Sequence, residues 1–337
     1  MMRFGVAFPT GMEGLCYNPP FITSPEVFVR WAKEAERLGF EGVWPNDHFH
    51  TQRYVAQAFP DPPRYFDPLL VMAYIARETT RLRFCTGILV LPMRDPIVLA
   101  KQVMTLDHLS GGRVTLGLGL GAYREEYDAC RGHPRGMPRG ALLDEGLAAL
   151  EVLFSQRLST FHGRHVRFEG VEMYPKPVQH PLPIYIGGNN TRVLERVVKY
   201  GHGWYGACLT PQEIQERLDI IRSHARTAGR DIANLDIAPQ FIVSIAKTHE
   251  EAVRRFRASH LYKHLESLRA STFSEQAGGT FEERNMVGSP DDLIERMHEY
   301  LRVGVTSFPG SVFLGDSPEE VFAAMELYAT QVMPAFR

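Results

Sequence analysis

The stretch LRFCTGILVLP at residues 82–92, followed at once by Met93-Arg94-Asp95-Pro96, decides how the rest of the chain is read. Up to Leu91 it is almost entirely β-branched, apolar or small. It shows no in/out alternation, so it reads as a strand buried on both faces. A buried strand that feeds a helix is half of a βαβ unit and calls for a parallel sheet. Thr86-Gly87 breaks the apolar run at its middle, where a glycine marks a bulge or a close approach by a ligand or a second backbone. This strand forms one wall of a candidate site.

Upstream, residues 3–9 read as a strand, 25–38 as a helix opened by Ser24-Pro25 and closed by Gly39, and 41–44 as a second strand. The His- and Pro-rich stretch 45–67 is too long for a routine βα connection and is a candidate functional loop. A helix over 68–78 leads into the opening strand. Downstream come a helix over 96–109, a strand over 113–118, a Gly/Pro/Arg-rich stretch at 131–140 and a helix over 141–154. Residues 159–173 then alternate and contain Gly, as a β-hairpin excursion does. Strands over 183–186, 203–206, 235–245 and 303–308 alternate with helices over 191–200, 211–228, 250–270 and 289–301, and a helix over 318–333 closes the chain. Residues 271–285 read as a mobile lid or linker. Eight strands, each followed by a helix, is the count of a (β/α)8 TIM barrel of the α/β class. The competing arrangement is a doubly wound open sheet. Residues 1–337 read as a single domain with insertions near 159–173 and 271–285.

The bulk numbers agree. A chain of 337 residues with 44 % hydrophobic and 23 % charged content fits one such barrel. A net charge of -2 gives no reason to invoke nucleic acid or a membrane surface. Four scattered cysteines without a CxxC pair read as free thiols in a reducing compartment. With neither a charged leader nor a long apolar run, a cytoplasmic enzyme is the expectation.

In such a barrel the chemistry sits at the C-terminal ends of the strands and in the loops that follow. That rule selects Pro9-Thr10, Asn46-Asp47-His48, Gly87-Ile88, residues 119–123 beginning with Gly119 and ending with Tyr123, Gly187 to Thr191, and the loop after Phe308. Asp47-His48 is the sharpest polar pair: a histidine exchanges protons near neutral pH, and an adjacent carboxylate orients it. The bland alternative is a surface histidine, one of 13 in the chain. His48-Phe49-His50 also spells the H-x-H of barrel metallohydrolases, but later strand ends offer only His202 as a further ligand. Gly187-Gly188-Asn189-Asn190-Thr191 joins a strand to a helix, where backbone N–H groups and the helix N-terminus suit a phosphate. Asn190 capping that helix is the compatible plain reading. Gly117 to Ala122 matches a loose dinucleotide fingerprint, but no acidic strand end follows at the required distance, and that reading is rejected.

Several of these stretches together resemble the bacterial luciferase-like monooxygenase superfamily. The resemblance is carried by Trp44-Pro45-Asn46-Asp47-His48-Phe49, LVLPMRDPIVLAKQVMTLDHLSGGRVTLGLGLG at 89–121, YREEY at 123–127, YPKPVQHPLPIYIGGN at 174–189, GHGW at 201–204 and VGSPDD at 287–292. These run collinearly over most of the chain. The resemblance implies a TIM barrel with insertions, usually dimeric, that binds reduced FMN or the deazaflavin coenzyme F420 at its C-terminal mouth. It places Gly87-Ile88 against the ring as a non-prolyl cis peptide, His48 with its acidic neighbour Asp47 near the reactive edge, and Gly187 to Thr191 around the phosphate. One departure matters. The sugar-phosphate dehydrogenases of the superfamily carry a glutamate where this chain has Ala122, so glucose-6-phosphate oxidation by that mechanism is not expected. The GGRVTLGLGLGAYREEY block and IGGNN lean toward the deazaflavin branch. An oxygenase would draw reduced FMN from a separate reductase. A deazaflavin enzyme would pass hydride to or from a small, partly apolar organic substrate, with His48 handling the proton. A metal-dependent hydrolase using His48 and His50, and a flavin-binding protein without turnover, are the alternatives.

Overall fold

A computed structural model describes residues 2–131, 138–276 and 278–336. The first third of the chain runs β1 (Arg3–Phe8), α1 (Glu26–Leu38), β2 (Gly42–Pro45), α2 (Arg53–Ala58), α3 (Pro68–Ile75), β3 (Arg83–Cys85), β4 (Leu89–Val90) and α4 (Pro96–Ser110). The middle adds β5 (Val114–Gly119), α5 (Arg124–Arg131), α6 (Arg139–Ser155), β6 (Leu158–His162), β7 (Arg167–Glu172), β8 (Ile184–Gly187), α7 (Thr191–Tyr200), β9 (Gly203–Tyr205) and α8 (Pro211–Ala228). The last third is β10 (Asp236–Ile237), β11 (Ile242–Ile245), α9 (His249–Ala258), α10 (His260–Ser267), β12 (Met286–Gly288), α11 (Pro290–Arg302), β13 (Ser307–Phe313) and α12 (Pro318–Gln331). Part of the Gly/Pro/Arg-rich stretch at 131–140 and residue 277 of the stretch at 271–285 lie outside the described residues.

Helix boundaries follow the local chemistry. Asp67, Asp95 and Asn190 cap α3, α4 and α7 through their side chains, and Thr210 and Ser289 open α8 and α11 with capping boxes. The strands form one curled, parallel sheet in the order β10-β9-β8-β5-β3-β2-β1-β13-β11-β12, with helices packed outside it: an α/β, TIM-barrel-like fold. Residues 236–245 touch both of their neighbours. Ala238 and Gln240 donate to Trp204 and Gly206 beside β9, while Val312 and Leu314 donate from the β13 side to Phe241 and Val243. β6 and β7 form a separate antiparallel pair. Inside the curl, Trp44 stacks on Tyr205 with ring centroids 4.8 Å apart and packs with Cys85, Tyr185 and Ala238, filling the centre with side chains. Among the described residues no helix is long and apolar enough to cross a membrane.

Several expectations change, among them the strand expected over 235–245, which is split into β10 and β11, and the stretch at 286–288, which forms the unexpected strand β12. The strand expected over 82–92 is split into β3 and β4, because the Thr86 hydroxyl replaces a ladder rung: Oγ1 donates to Gly117 O and accepts from Gly117 N, both at 2.8 Å. The Gly87–Ile88 peptide that follows is cis. The helix expected over 250–270 breaks at Ser259, which ends α9 and caps α10 by accepting from Tyr262 N. The last strand starts later than expected, at Ser307, because Gly304 takes φ 105° in the turn after α11. The loop at 45–67 carries α2.

Candidate active site

A cavity of about 180 Å³ opens at the C-terminal ends of the strands, lined among others by Asp47, His48, Gly87, Ile88, Ala122, Tyr123, Glu126 and Gln240. Its lower wall is the split strand. Ile88 reaches across to β5 and β8, where glycines leave room for it. A Cβ on Gly187 would lie 2.4 Å from Ile88 Cγ2, and one on Gly119 would lie 3.0 Å from Ile88 Cδ1. Gly119 and Gly187 therefore seat the Ile88 side chain beneath the cavity and do not line it.

His48 follows β2, and its partner is not the expected one. Its Nδ1 lies 3.0 Å from Glu126 Oε2 in the first turn of α5, a contact across 78 positions of sequence. The Glu126 carboxylate, 3 % exposed, also accepts the backbone N–H groups of Phe49 and His50, and Gln52 Nε2 lies 3.4 Å from Oε2. Burial pushes this carboxyl's pKa up, but the His48 bond and charge and the two amides outweigh that and hold it below its ordinary value. Glu126 is thus an ionised acceptor. It fixes Nδ1 as the protonated nitrogen and leaves Nε2 for whatever enters the cavity. Glu125, its neighbour, accepts from Arg53 N, so the first turn of α5 pins the loop at 45–67 at two points.

Asp47 points elsewhere. Its carboxylate receives Arg94 Nη2 at 2.7 Å, Arg94 Nε at 3.1 Å and Val90 N at 3.0 Å. Arg94 also reaches Asp67 Oδ2 at 3.0 Å. Asp47 therefore clamps the end of β2 to β4, and the carboxylate that orients His48 is Glu126. The sequence held a signal for this in the YREEY block at 123–127, where two acids open a helix directly after a strand.

The turn at 187–191 is a rim element. Asn190 caps α7 by accepting from Arg192 N at 2.9 Å. Asn189 exchanges two hydrogen bonds with the Ala207 backbone, at 2.8 Å each, and so ties β8 to the end of β9. Gly188 N donates to Tyr205 O. Thr191 N donates to the carboxylate of Glu275 at 2.9 Å. That carboxylate, carried by the stretch expected to form a lid, sits at the N-terminus of α7, where negative charge is favoured.

Opposite the split strand the cavity is closed by α10 and the residues after it. Leu261, Leu265, Leu268 and Phe273 supply apolar surface, and His264 a polar point. His264 Nδ1 lies 2.8 Å from Tyr54 Oη and 3.1 Å from Tyr123 Oη, and Tyr123 Oη lies 3.1 Å from Ser267 Oγ. Neither His264 nor the loop contact to Tyr54 was visible in the sequence. Among the described residues no group of three or more His, Cys, Asp or Glu side chains is placed to hold a metal ion. His48 commits Nδ1 to Glu126, and His202 accepts from Ile184 N. The metallohydrolase reading of His48 and His50 is not favoured.

A family model described as luciferase-like monooxygenase matches residues 2–307. The chain belongs to that family. Like other luciferase-like proteins it is an oxidoreductase. An F420-dependent glucose-6-phosphate dehydrogenase of Amycolatopsis mediterranei is 25 % identical over 327 residues, covering 93 % of this chain and 95 % of the relative. A monooxygenase from Streptomyces bottropensis has the same fold, with a TM-score of 0.80 at 24 % identity over 100 % of both chains. So does an F420-dependent secondary alcohol dehydrogenase in complex with an F420-acetone adduct, with a TM-score of 0.78 at 20 % identity over 100 % of this chain and 99 % of that one.

Proposed function

We propose that this luciferase-like protein transfers hydride between coenzyme F420 and a small, partly apolar organic substrate, with His48 supplying or accepting the accompanying proton at Nε2. The reading rests on one observation above the others: the His48–Glu126 pair shares one cavity with Gly87 and Ile88 of the split strand. Bound at this site, F420 would supply a hydride-accepting or hydride-donating ring carbon.

The residues present fit such a group. The curled sheet is read as an eight-stranded barrel in which residues 236–245 supply the seventh strand. The cavity takes a ring system against Gly87, Ile88 and Tyr123 but not a whole nucleotide-like cofactor, whose tail would run along the rim. There the turn from Gly187 through Gly188, Asn189 and Asn190 to Thr191 would hold a phosphate, and the Glu275 carboxylate already at Thr191 N supports an anion at that place. Glu126 orients the imidazole, Asp47 holds the loop that carries it, and Tyr123 borders the substrate space. The relatives include F420-dependent enzymes by name, such as the Amycolatopsis dehydrogenase, as well as a monooxygenase in complex with FMN, and the choice of F420 here follows the GGRVTLGLGLGAYREEY and IGGNN blocks. Ala122 argues against a sugar phosphate as substrate.

A homodimer fits the surface. Leu70, Tyr74, Val98, Leu109, Tyr174 and Val178 are exposed on α3, α4 and the segment that Lys101 and His108 bind through the carbonyls of Tyr174 and Lys176. A second copy of the chain would cover this face.

Parallel titration of the purified protein with F420 and with FMN, each oxidised and reduced, tests the cofactor. Tight binding of F420 without reaction with oxygen is the expected result. Selective binding of reduced FMN followed by oxygen consumption would make the protein an oxygenase served by a separate flavin reductase, and binding of neither would sink the site.

A further inference from the structure

The apolar wall of the cavity contains one organised polar cluster, formed by Tyr54, Tyr123, His264 and Ser267. Ser267 Oγ donates to His264 O at 2.7 Å, so it is free to accept from Tyr123 Oη at 3.1 Å. Tyr123 has one proton to share among Ser267 Oγ, Tyr54 Oη and His264 Nδ1. Tyr54 Oη lies 2.8 Å from His264 Nδ1 and 3.2 Å from Tyr123 Oη, so two hydroxyl groups face Nδ1, and the arrangement we adopt is the one in which Nδ1 accepts. Burial, with smaller contributions from His48 and His260, pulls the pKa of the His264 ring down to about 3, so the ring is neutral at any working pH. A neutral imidazole that accepts at Nδ1 carries its hydrogen on Nε2. Nε2 has no hydrogen-bond partner among the described residues, while the ring lines the cavity.

We infer that His264 is a specificity-determining residue: its Nε2–H recognises a hydrogen-bond-accepting atom of an uncharged substrate whose apolar body packs against α10. The inference rests on the oxidoreductase reading of the same cavity and names its substrate class. Met12, Leu261, Leu265, Leu268, Phe273 and Val312 give the cavity its apolar lining, beside polar groups that include His48 and Gln240. No lysine or arginine lines it among the described residues. A carboxylate or phosphate substrate would therefore lose its water without gaining a counter-ion, a heavy cost in an apolar site. A ketone, ester or ether oxygen loses less and gains the Nε2–H. The ring is also held in place before binding, since Tyr54 and Tyr123 both contact Nδ1 and Ser267 ties the next turn of α10 to Tyr123. A pre-set donor favours a ligand that can use it and penalises one that leaves it unpaired.

A matched pair of probes, cyclohexanone and methylenecyclohexane, tests this by ligand-observed NMR titration of the full-length apoprotein. The two have nearly the same shape and differ in the accepting oxygen. The wild type is expected to favour the ketone by about 3- to 10-fold, the range of one net hydrogen bond. His264→Phe is expected to reduce that preference to about one while leaving methylenecyclohexane binding intact, which also reports that the cavity still forms. His264→Gln, which keeps an N–H donor, is expected to recover part of it. ¹⁵N spectra should show the Nε2–H tautomer in the wild type and its loss in Tyr54→Phe. No ketone preference in the wild type, or one that survives His264→Phe, overturns the inference. Titrating F420 and FMN into the same preparations separates the two readings. Cofactor binding without ketone preference removes only the role of His264, and ketone preference without cofactor binding removes only the cofactor assignment.

Discussion

The two walls of the cavity are built by different means. The β3/β4 wall is backed by central strands and fixed by side chains from distant parts of the chain. Thr86 locks into β5, Asp47 grips Arg94, and Glu126 holds His48 from α5. The opposite wall is the eight-residue helix α10 and the turns after it, set on the sheet's rim and joined to the first wall chiefly through Tyr54 and Tyr123. Central strands tolerate little change, because every position is packed on two faces. A short helix at the rim can exchange side chains without disturbing the sheet. The difference suggests a division of labour in which the first wall carries the proton chemistry and the second selects the substrate.

Removing the imidazole is the severest test of that division. His48→Ala is expected to lower kcat by about 10² to 10⁴, the usual worth of a positioned acid or base, with cofactor Kd nearly unchanged. Glu126→Gln should follow in the same direction, because the amide no longer fixes Nδ1–H. Wild-type kcat in either variant would move the chemistry off this wall. Next in size is packing. Gly187→Ala places a methyl 2.4 Å from Ile88 Cγ2 and should cost roughly 1–3 kcal/mol in urea unfolding. Gly278, which has nothing within 4 Å of a built Cβ, lies in the α10 side's following stretch but has φ 66°, so its substitution is a control for backbone conformation alone.

The second wall should respond to pH through His264. Its folded pKa, about 3, lies below the ordinary histidine value, so below about pH 6.5 the unfolded chain takes up a proton that the folded ring refuses. The stability it contributes is complete above pH 6.5 and is lost as pH falls from there toward 3. His264→Phe should therefore flatten the acid limb of the stability profile, by at most about 1.4 kcal/mol per pH unit. An unchanged acid limb would mean that the ring is solvated and the wall looser than described. The smallest effect is expected at the rim. Glu275→Gln removes the carboxylate from Thr191 N and should raise the affinity for inorganic phosphate by about 2- to 5-fold, the scale of one charge at a helix N-terminus. A weaker affinity would take the phosphate away from this turn.

Much of the first wall was legible before the fold was known. Local pattern marks Thr86-Gly87 as an interruption in a buried strand, Asn190 as a helix cap and His48 as a residue at a strand end. The same pattern misassigns the partner of His48, because adjacency in sequence says nothing about direction: after β2, successive side chains leave on different sides, and Asp47 turns toward Arg94. Gly119 and Gly187 were picked out as strand ends at which chemistry could lie, yet what packs against them is Ile88. The second wall was hardly legible at all. Residues 250–270 have the apolar spacing of one helix, and the break at Ser259 that turns His264 inward depends on a cap that looks like any other serine.

The amino-acid sequence by itself determined the alternation of strands and helices, the positions of their caps and the list of strand ends at which chemistry could lie, because these depend on periodicity and on residues within a few positions of one another. Only the tertiary structure decided which strand ends meet. The bond from His48 to Glu126 spans 78 residues and that from Tyr54 to His264 spans 210, and no local propensity encodes a contact that forms only when the sheet curls and brings its loops over one cavity.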